Sequence, residues 1–380
     1  MGERIKALRQ RGTGFQLLMP ILIFFILLVA NLIIDSVLIA NNPNAESFFS
    51  IGIVNGNLYG TLIQILNSGS ELALLAIGMT LVTAASGGQD ISVGAGAAIA
   101  GSVFVKIIGD YESATKSDAT WMLIIVAFLA SAGSAMLCGA FSGTLVAKFR
   151  IQPMIATLVL FTAGRSIAYG INGGASPKLF DDITKQIGSS FQGVPIPTPI
   201  FIVLIYGIIF FCILRFTNLR LYLQSVGINE KSARLNGLNP VVIKILSFVI
   251  LGFCVAGAGV INTTRMQRLD HLGILGGIEM DAILAVAIGG NALGGGKFSI
   301  VGSVIGAYTI ETLQRTLLRL SVAPEAIKAF RAAFIIILVF ASSPGVKRYV
   351  GKFWNFIRNE LMQSGNKGKT PAIEGGTKDA

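Results

Sequence analysis

Long uncharged apolar runs constrain the fold of this chain more than any other feature of its sequence. The first extends from Gly12 to Ile34 without a charged residue. It is longer than a signal-peptide core of roughly 7–15 residues, and no small-residue cleavage site follows within it. Because a helix needs about 20 mostly apolar residues to cross a bilayer, the run predicts an uncleaved first transmembrane helix.

Further apolar segments predict an all-α polytopic membrane protein with about ten transmembrane helices. Several segments are too short for a full crossing, and glycine-rich breaks interrupt the regions 71–109 and 280–320, so broken or half-helices are expected there. Segment 48–66 is apolar but contains Asn55 and Asn57, which indicates an interfacial or re-entrant piece. The further segments are 71–86, 90–109, 121–147, 151–171, 198–214, 240–263, 280–293, 299–320 and 326–343.

The charge content agrees with a lipid environment. Only 13% of the 380 residues are charged, against about 25% in soluble domains, which is too few to cover a water-exposed surface. The net charge of +11 does not indicate a nucleic-acid partner, because the basic residues lie between apolar spans and form no basic face with interleaved aromatic residues.

The basic residues instead indicate the orientation of the chain. Lys and Arg are concentrated before the first span, near 148–150, within 215–239 and after the last span. Since basic loops remain in the cytoplasm, both termini are predicted to be cytoplasmic. The predicted organisation is a cytoplasmic segment 1–14, a transmembrane domain 15–343 with a cytoplasmic loop 215–239, and a cytoplasmic, disordered tail 344–380.

Glycine is abundant, with 45 residues, and small residues let membrane helices approach closely. Gly139 with Gly143 and Gly302 with Gly306 have the G-x-x-x-G spacing. These pairs predict close helix contacts, although the spacing also arises by chance in a glycine-rich chain.

A shift of 208 residues aligns Glu71 with Glu279 and Gly87-Gly88 with Gly295-Gly296. Repeated halves are common in transporters, with the pathway at their interface. We interpret the alignment as two weakly repeated halves; coincidence among many glycines is the alternative.

Two glycine-rich breaks contain candidate functional residues. In the first, Gly87-Gly88-Gln89-Asp90, the acidic residue is expected to face protein or water at membrane depth. Asp90 is interpreted as accepting hydrogen bonds at the next helix start, as lining the translocation path, or as both. The second break, Gly289 to Lys297, is not a phosphate-binding P-loop, because Phe298 follows the lysine. Any nucleotide must therefore bind another chain.

Residues Asn229 to Gly237 combine a helix-start residue, helix formers and a terminal glycine. They predict a short, charged cytoplasmic helix of about two turns. It is either a solvated connector or a docking helix for a motor subunit.

No residue pattern indicates catalysis or a metal site. The three cysteines lie within apolar runs without C-x-x-C spacing. His271, the one histidine of the sequence, is predicted to be a solvated loop residue.

Four motifs occur in order along residues 70–345: Gly78–Val82 leading to Gly87–Gly94, Lys148–Leu158, Asn229–Gly237, and Met280–Ala285 leading to Gly289–Phe298. Together they resemble the ribose-type sugar permeases of ABC transporters. The Lys297-Phe298 ending and the stretch from Thr309 to Leu318 look most similar to the galactofuranose-type branch. Gln89 and Asn291 depart from the family pattern, which usually has Ile and often Thr at these positions.

The resemblance implies a permease subunit that imports a ribose-, galactofuranose- or fructose-like monosaccharide across a bacterial cytoplasmic (inner) membrane. Two permease subunits, identical or related, would form the pore, and an extracytoplasmic sugar-binding protein would deliver the solute. A separate ABC ATPase would bind ATP and Mg²⁺, so that this chain needs no cofactor. The implied ATPase-coupling residues are Asn229, Glu230, Ser232, Ala233, Arg234 and Leu235. The implied translocation-pathway residues are Gly87, Gly88, Asp90, Gly289, Gly290 and Asn291.

Other functions remain open at this stage. The cargo of an ABC permease could also be a nucleoside, a signalling sugar or a branched-chain amino acid. An ion-coupled secondary transporter is the rival from another class, and it would require several paired ionisable groups at mid-membrane depth.

Overall fold

The computed structural model describes residues 14–41, 47–54, 56–109, 120–179, 181–323, 325–327 and 329–333. The chain divides into two compact units, 1–327 and 328–380, and all elements named below belong to the first. The predicted N-terminal segment up to residue 13, the predicted last span from residue 334, and the predicted tail 344–380 lie outside the described residues.

The first unit is mostly helical, as predicted. One small hairpin, β1 (Gly52–Val54) with β2 (Asn57–Tyr59), occupies part of segment 48–66. The helices are α1 (Gly14–Asn41), α2 (Thr61–Ser86), α3 (Val93–Ile108), α4 (Trp121–Ala147), α5 (Pro153–Ile171), α6 (Asp182–Gly188), α7 (Thr198–Phe216), α8 (Leu219–Ile228), α9 (Glu230–Leu235), α10 (Pro240–Met266), α11 (Ile278–Ile288) and α12 (Ile300–Arg319).

Six helices among the described residues are long and apolar enough to span a membrane, namely α1, α2, α4, α5, α7 and α10. The chain is therefore a multi-pass membrane protein. Helices α3, α11 and α12 coincide with three more predicted segments, but α3 has only 16 residues and α11 only 11. The prediction of ten crossings is thus not confirmed, whereas the expected short helices beside the glycine-rich breaks are present.

Helix α2 lies at the centre of the bundle, in contact with α7, α8, α10, α11 and α12. Every residue from Gly69 to Ala85 is buried. This stretch contains polar side chains such as Glu71 and Thr80, which find partners on α10 and α12 that lipid could not supply.

Helices approach each other closely where one of them has a glycine, which has no side chain, at the contact. A Cβ at Gly139 would overlap the carbonyl oxygen of Phe248, and one at Gly143 would lie 3.0 Å from Ile245 Cα, both on α10. A Cβ at Gly306 would likewise overlap the Ala285 carbonyl on α11. The predicted G-x-x-x-G contacts are therefore confirmed between α4 and α10 and between α11 and α12.

Candidate functional site

The first glycine-rich break joins α2 to α3. Gly87 ends α2 in the left-handed region, with φ 66°, and its N–H donates to the Thr83 carbonyl. Asp90 is buried, and its Oδ1 accepts hydrogen bonds from the Ser92 amide at 2.7 Å and the Ser92 hydroxyl at 2.6 Å. Asp90 thus stabilises the turn that leads into α3, in agreement with its prediction as an acceptor at a helix start.

The second break joins α11 to α12 and depends on Asn291. The side-chain Nδ2 of Asn291 donates to the Val286 carbonyl at 3.0 Å and to the Ser303 hydroxyl at 2.7 Å. Its Oδ1 accepts from the Ser299 amide at 2.6 Å. One amide therefore connects the end of α11 to the start of α12, where Ser299 caps the Gly302 amide.

The two breaks contact each other and α8. Gly296 donates its amide to the Ala84 carbonyl at 3.0 Å, and a Cβ at Gly227 of α8 would overlap that same oxygen. A Cβ at Gly295 would lie 3.1 Å from the Gly227 carbonyl and 3.2 Å from Gly87 Cα. We call these five residues, Ala84, Gly87, Gly227, Gly295 and Gly296, the glycine junction. Gly295 and Gly296 have φ of 93° and 99°, a conformation that side chains rarely adopt.

The six predicted pathway residues all lie in these two breaks. Gly87 and Gly290 are exposed, whereas the other four are buried. A side-chain bond from Gln89 Nε2 to the Leu293 carbonyl, 3.3 Å long, links the breaks further. The structure thus brings the two halves of the predicted site together beside α8.

Helix α9 follows α8 and matches the predicted short charged helix. The Asn229 side chain caps it by accepting from the Ser232 amide at 3.0 Å, and Gly237 follows it with φ 80°. It has six residues, slightly fewer than two turns.

Among the described residues, an ion pair attaches α9 to α10, and a second ion pair lies within α9. Lys244 of α10 donates to Glu230 at 2.7 Å, and Arg234 approaches the other oxygen of Glu230 at 3.4 Å. The hydrogen bond from Lys244, with the charges of Lys244 and Arg234, holds the pKa of Glu230 below its usual range.

The outer face of α9 is open. Leu235 is 89% exposed, and Ser232 and Arg234 are exposed beside it, whereas Ala233 faces inward and is buried. An open depression of about 730 Å³ lies next to this face, lined by Arg150, Ile228, Asn229, Glu230, Lys231, Arg234 and Leu235.

Sequence reasoning missed several ion pairs inside the described part of the bundle, including those of two glutamates. Glu71 of α2 lies 3.0 Å from Arg265, and Glu279 of α11 lies 3.7 Å from Arg165. Both glutamates had been aligned by the 208-residue shift, and an ionisable residue inside a span is itself a signal of function. The sequence did not indicate which basic residue would pair with each of the two glutamates.

The prediction for His271 is wrong. Its side chain is buried, its ring lies against Tyr169 at a centroid distance of 4.5 Å, and Nδ1 is 3.3 Å from the Ser176 hydroxyl. The segment that contains it folds inward against α5, which the sequence pattern did not indicate.

Several curated proteins are similar to this chain. The galactofuranose transporter permease protein YtfT of Escherichia coli K12 is 36% identical over 81% of this chain and 86% of its own length. The fructose import permease protein FruF of Bifidobacterium longum is 33% identical over 77% and 80% of the two chains. The ribose import permease protein RbsC of E. coli K12 is 33% identical over 83% and 92%. No solved structure matches the chain.

A family described as "Branched-chain amino acid transport system / permease component" matches residues 61–339. The match includes both glycine-rich breaks, the glycine junction and α9. With most of its length matched by this family and by permease relatives, the chain belongs to this family of transport-system permease components.

Proposed function

We propose that this chain is the membrane-embedded permease subunit of an ATP-driven, binding-protein-dependent monosaccharide importer. The relatives named above are galactofuranose, fructose and ribose permeases, which supports a solute of that kind. The subunit works with a second permease subunit in a bacterial cytoplasmic membrane, with both termini in the cytoplasm. A sugar-binding protein delivers the solute from outside.

The observation that carries this proposal is the exposed face of α9. A capped helix holds Arg234 and the almost fully exposed Leu235 outward beside an open depression. An apolar anchor flanked by charged residues is suited to insertion into a partner. The partner is an ABC ATPase, which binds ATP and Mg²⁺. This chain contains no P-loop at its glycine-rich break, and it contributes neither catalysis nor a cofactor.

The packing of α8 supports mechanical coupling between α9 and the two glycine-rich breaks. Helix α8 joins α9 to the glycine junction, where Gly227 leaves no space against Ala84 and Gly296. Because packed elements without voids transmit displacement, a movement of α9 reaches both breaks together. The residues of those breaks then form the cytoplasmic end of the translocation path.

The proposal is tested by reconstituting the chain with its ATPase and binding protein in vesicles and measuring ATP-dependent uptake of ribose, fructose and galactofuranose. Arg234→Asp and Leu235→Asp should each reduce ATPase association and uptake at least tenfold, because truncation of an interface anchor costs about 2 kcal/mol or more. Lys178→Asp, an exposed charge reversal far from α9 in the sequence, is the control. Uptake driven by an ion gradient without the ATPase would contradict the proposal.

A branched-chain amino acid is the second candidate solute, because the family description names it. Competition of unlabelled leucine against labelled ribose in the same vesicles separates the two. Inhibition by sugars alone is the expected result.

A further inference from the structure

Helix α7 is a membrane span with two different faces. One face includes Tyr206 and Phe210, which are buried. On the other face Leu204, Ile208 and Phe211 are each more than half exposed, and their spacing of four and three residues places them in one stripe. Because α7 is long and apolar enough to cross a membrane, this stripe faces the acyl chains of the bilayer.

Arg215 continues the apolar stripe of α7. It follows Phe211 by four residues, so it lies on the same helix face, and it belongs to the last turn of α7. Its side chain is exposed. The last turn of a span lies near the headgroups, where a long basic side chain places its charge at the boundary between acyl chains and water.

The chain turns after Phe216 and continues into α8. Helix α8 buries Leu223 and Val226 and leaves Arg220 exposed on its first turn. Two large apolar side chains accompany the arginines, since Phe216 is 81% exposed and Leu221 is 60% exposed. We define the basic corner as Arg215, Phe216, Arg220 and Leu221.

The positive charge of the basic corner has no nearby carboxylate to balance it. The sequence contains no Asp or Glu between Asp182 and Glu230. Within the part of the chain that the structure describes, neither Arg215 nor Arg220 forms an ion pair, and Glu230 is paired with Lys244 at 2.7 Å. The corner therefore offers two guanidinium groups to an anionic ligand.

We infer that the basic corner binds an anionic phospholipid, with the phosphate on its two arginines and the acyl chains along the apolar stripe of α7. A guanidinium group binds a phosphate through two parallel hydrogen bonds. Anionic lipids also attract basic residues that immediately follow a membrane span. In the orientation proposed above, the lipid belongs to the cytoplasmic leaflet. The inference goes beyond the proposed function and does not depend on the solute.

The ATPase of the proposed function is the other candidate occupant of the basic corner. The exposed face of α9 lies beside an open depression, as a surface for a water-soluble partner should. The basic corner instead continues a stripe that faces lipid. Its mixture of arginines and large apolar side chains matches a phospholipid, which has an anionic headgroup and an apolar body.

Native mass spectrometry of the assembled, detergent-purified transporter tests the inference. The parent and the double variant Arg215→Gln, Arg220→Gln are titrated with phosphatidylglycerol and, separately, with phosphatidylcholine. The parent should bind phosphatidylglycerol at least tenfold more tightly, because each arginine near an anionic headgroup contributes about fivefold. The double variant should lose this preference. The matched control is Lys178→Gln, Lys185→Gln, which removes two other exposed positive charges and should keep the preference.

Three results would overturn the inference. The first is an unchanged preference in the arginine variant, or an equal loss in the lysine control. The second is displacement of the bound lipid by millimolar glycerol phosphate, which would indicate a site for soluble phosphate compounds. The third is lost ATPase association with intact lipid binding, which would make the corner a protein-docking surface.

ATP-dependent sugar uptake by the parent is measured in parallel, after reconstitution into vesicles. If the proposed function is wrong, the parent shows no such uptake, whatever its lipid preference. If only the lipid inference is wrong, uptake is present and the preference for phosphatidylglycerol does not depend on the two arginines. The two failures are therefore distinguishable.

Discussion

Each of the two glycine-rich breaks connects one helix to the next, but the two are stabilised by different side chains. The Asp90 side chain in the first break only accepts hydrogen bonds, and both come from Ser92. Asn291 in the second break accepts from Ser299 and donates toward Val286 and Ser303. A carboxylate thus stabilises one local turn, whereas an amide connects two helices.

The difference follows from the length of each break. Residues 87–92 separate α2 from α3, whereas the longer stretch 289–299 separates α11 from α12. The short break positions its own next helix, but the long one needs a side chain that reaches both helix ends. The chain departs from the resembled family pattern at Gln89 and Asn291, and both residues make bonds that hold the second break in place.

The largest effect is expected for Asn291→Asp. The variant removes both donated hydrogen bonds and places a charge in a buried site, which should lower the free energy of unfolding by about 3 kcal/mol. Thermal unfolding in detergent measures this loss. Equal stability of variant and parent would show that the amide does not join the two helices.

Gly227→Ala should act on both breaks at once. Its Cβ would overlap the Ala84 carbonyl, and overpacking of this kind costs about 1–3 kcal/mol. Amide hydrogen exchange should quicken around both Gly87 and Gly296. The matched control is Gly207→Ala on α7, where a Cβ meets nothing within 4 Å; there, stability should stay equal or rise by up to about 1 kcal/mol. Faster exchange in one break alone would mean that the two are not joined through α8.

Asp90→Asn should have a smaller effect than the reverse exchange at position 291. The amide oxygen can still accept from the Ser92 amide and hydroxyl, so a loss of no more than about 1 kcal/mol is expected. Thermal unfolding in detergent compares Asp90→Asn with Asn291→Asp. If Asp90→Asn lowered the free energy of unfolding as much as Asn291→Asp does, the proposed difference between the two side chains, one that only accepts hydrogen bonds and one that connects two helices, would be wrong.

The smallest effect concerns α9, outside both breaks. Because the folded-state pKa of Glu230 lies below its ordinary value of 4.5, its ion pair stabilises α9 above that pH, and this contribution is lost as the pH falls through the lower folded value. For a partly exposed pair the loss should be about 0.5 kcal/mol. Hydrogen exchange of α9 amides between about pH 6 and pH 3 measures it, and Glu230→Gln should remove this component. An unchanged pH response in that variant would assign the effect to another group.

Much of the helical layout was predictable because apolar length and glycine spacing are local properties. Segments 121–147 and 151–171 closely match α4 and α5, and the Asn229 cap and Gly237 stop were read directly from residue type. The inward position of His271 was not predictable, since it depends on a turn segment held by Arg165 on a distant helix. Ten crossings are not confirmed among the described residues, where α11 begins at Ile278 and ends already at Ile288, because the glycine-rich break starts at Gly289.

The sequence by itself determined that this chain lies in a membrane, where its helices begin and end around the glycines, and that α9 is capped and charged. These properties follow from apolar content and from hydrogen bonds made within a few residues. Only the tertiary structure decided that both breaks meet at Gly227 and that Arg165 pairs with Glu279, 114 positions later in the sequence. Such contacts depend on how the helices pack in three dimensions. The type of a residue restricts which residues it can contact but does not specify which one it does.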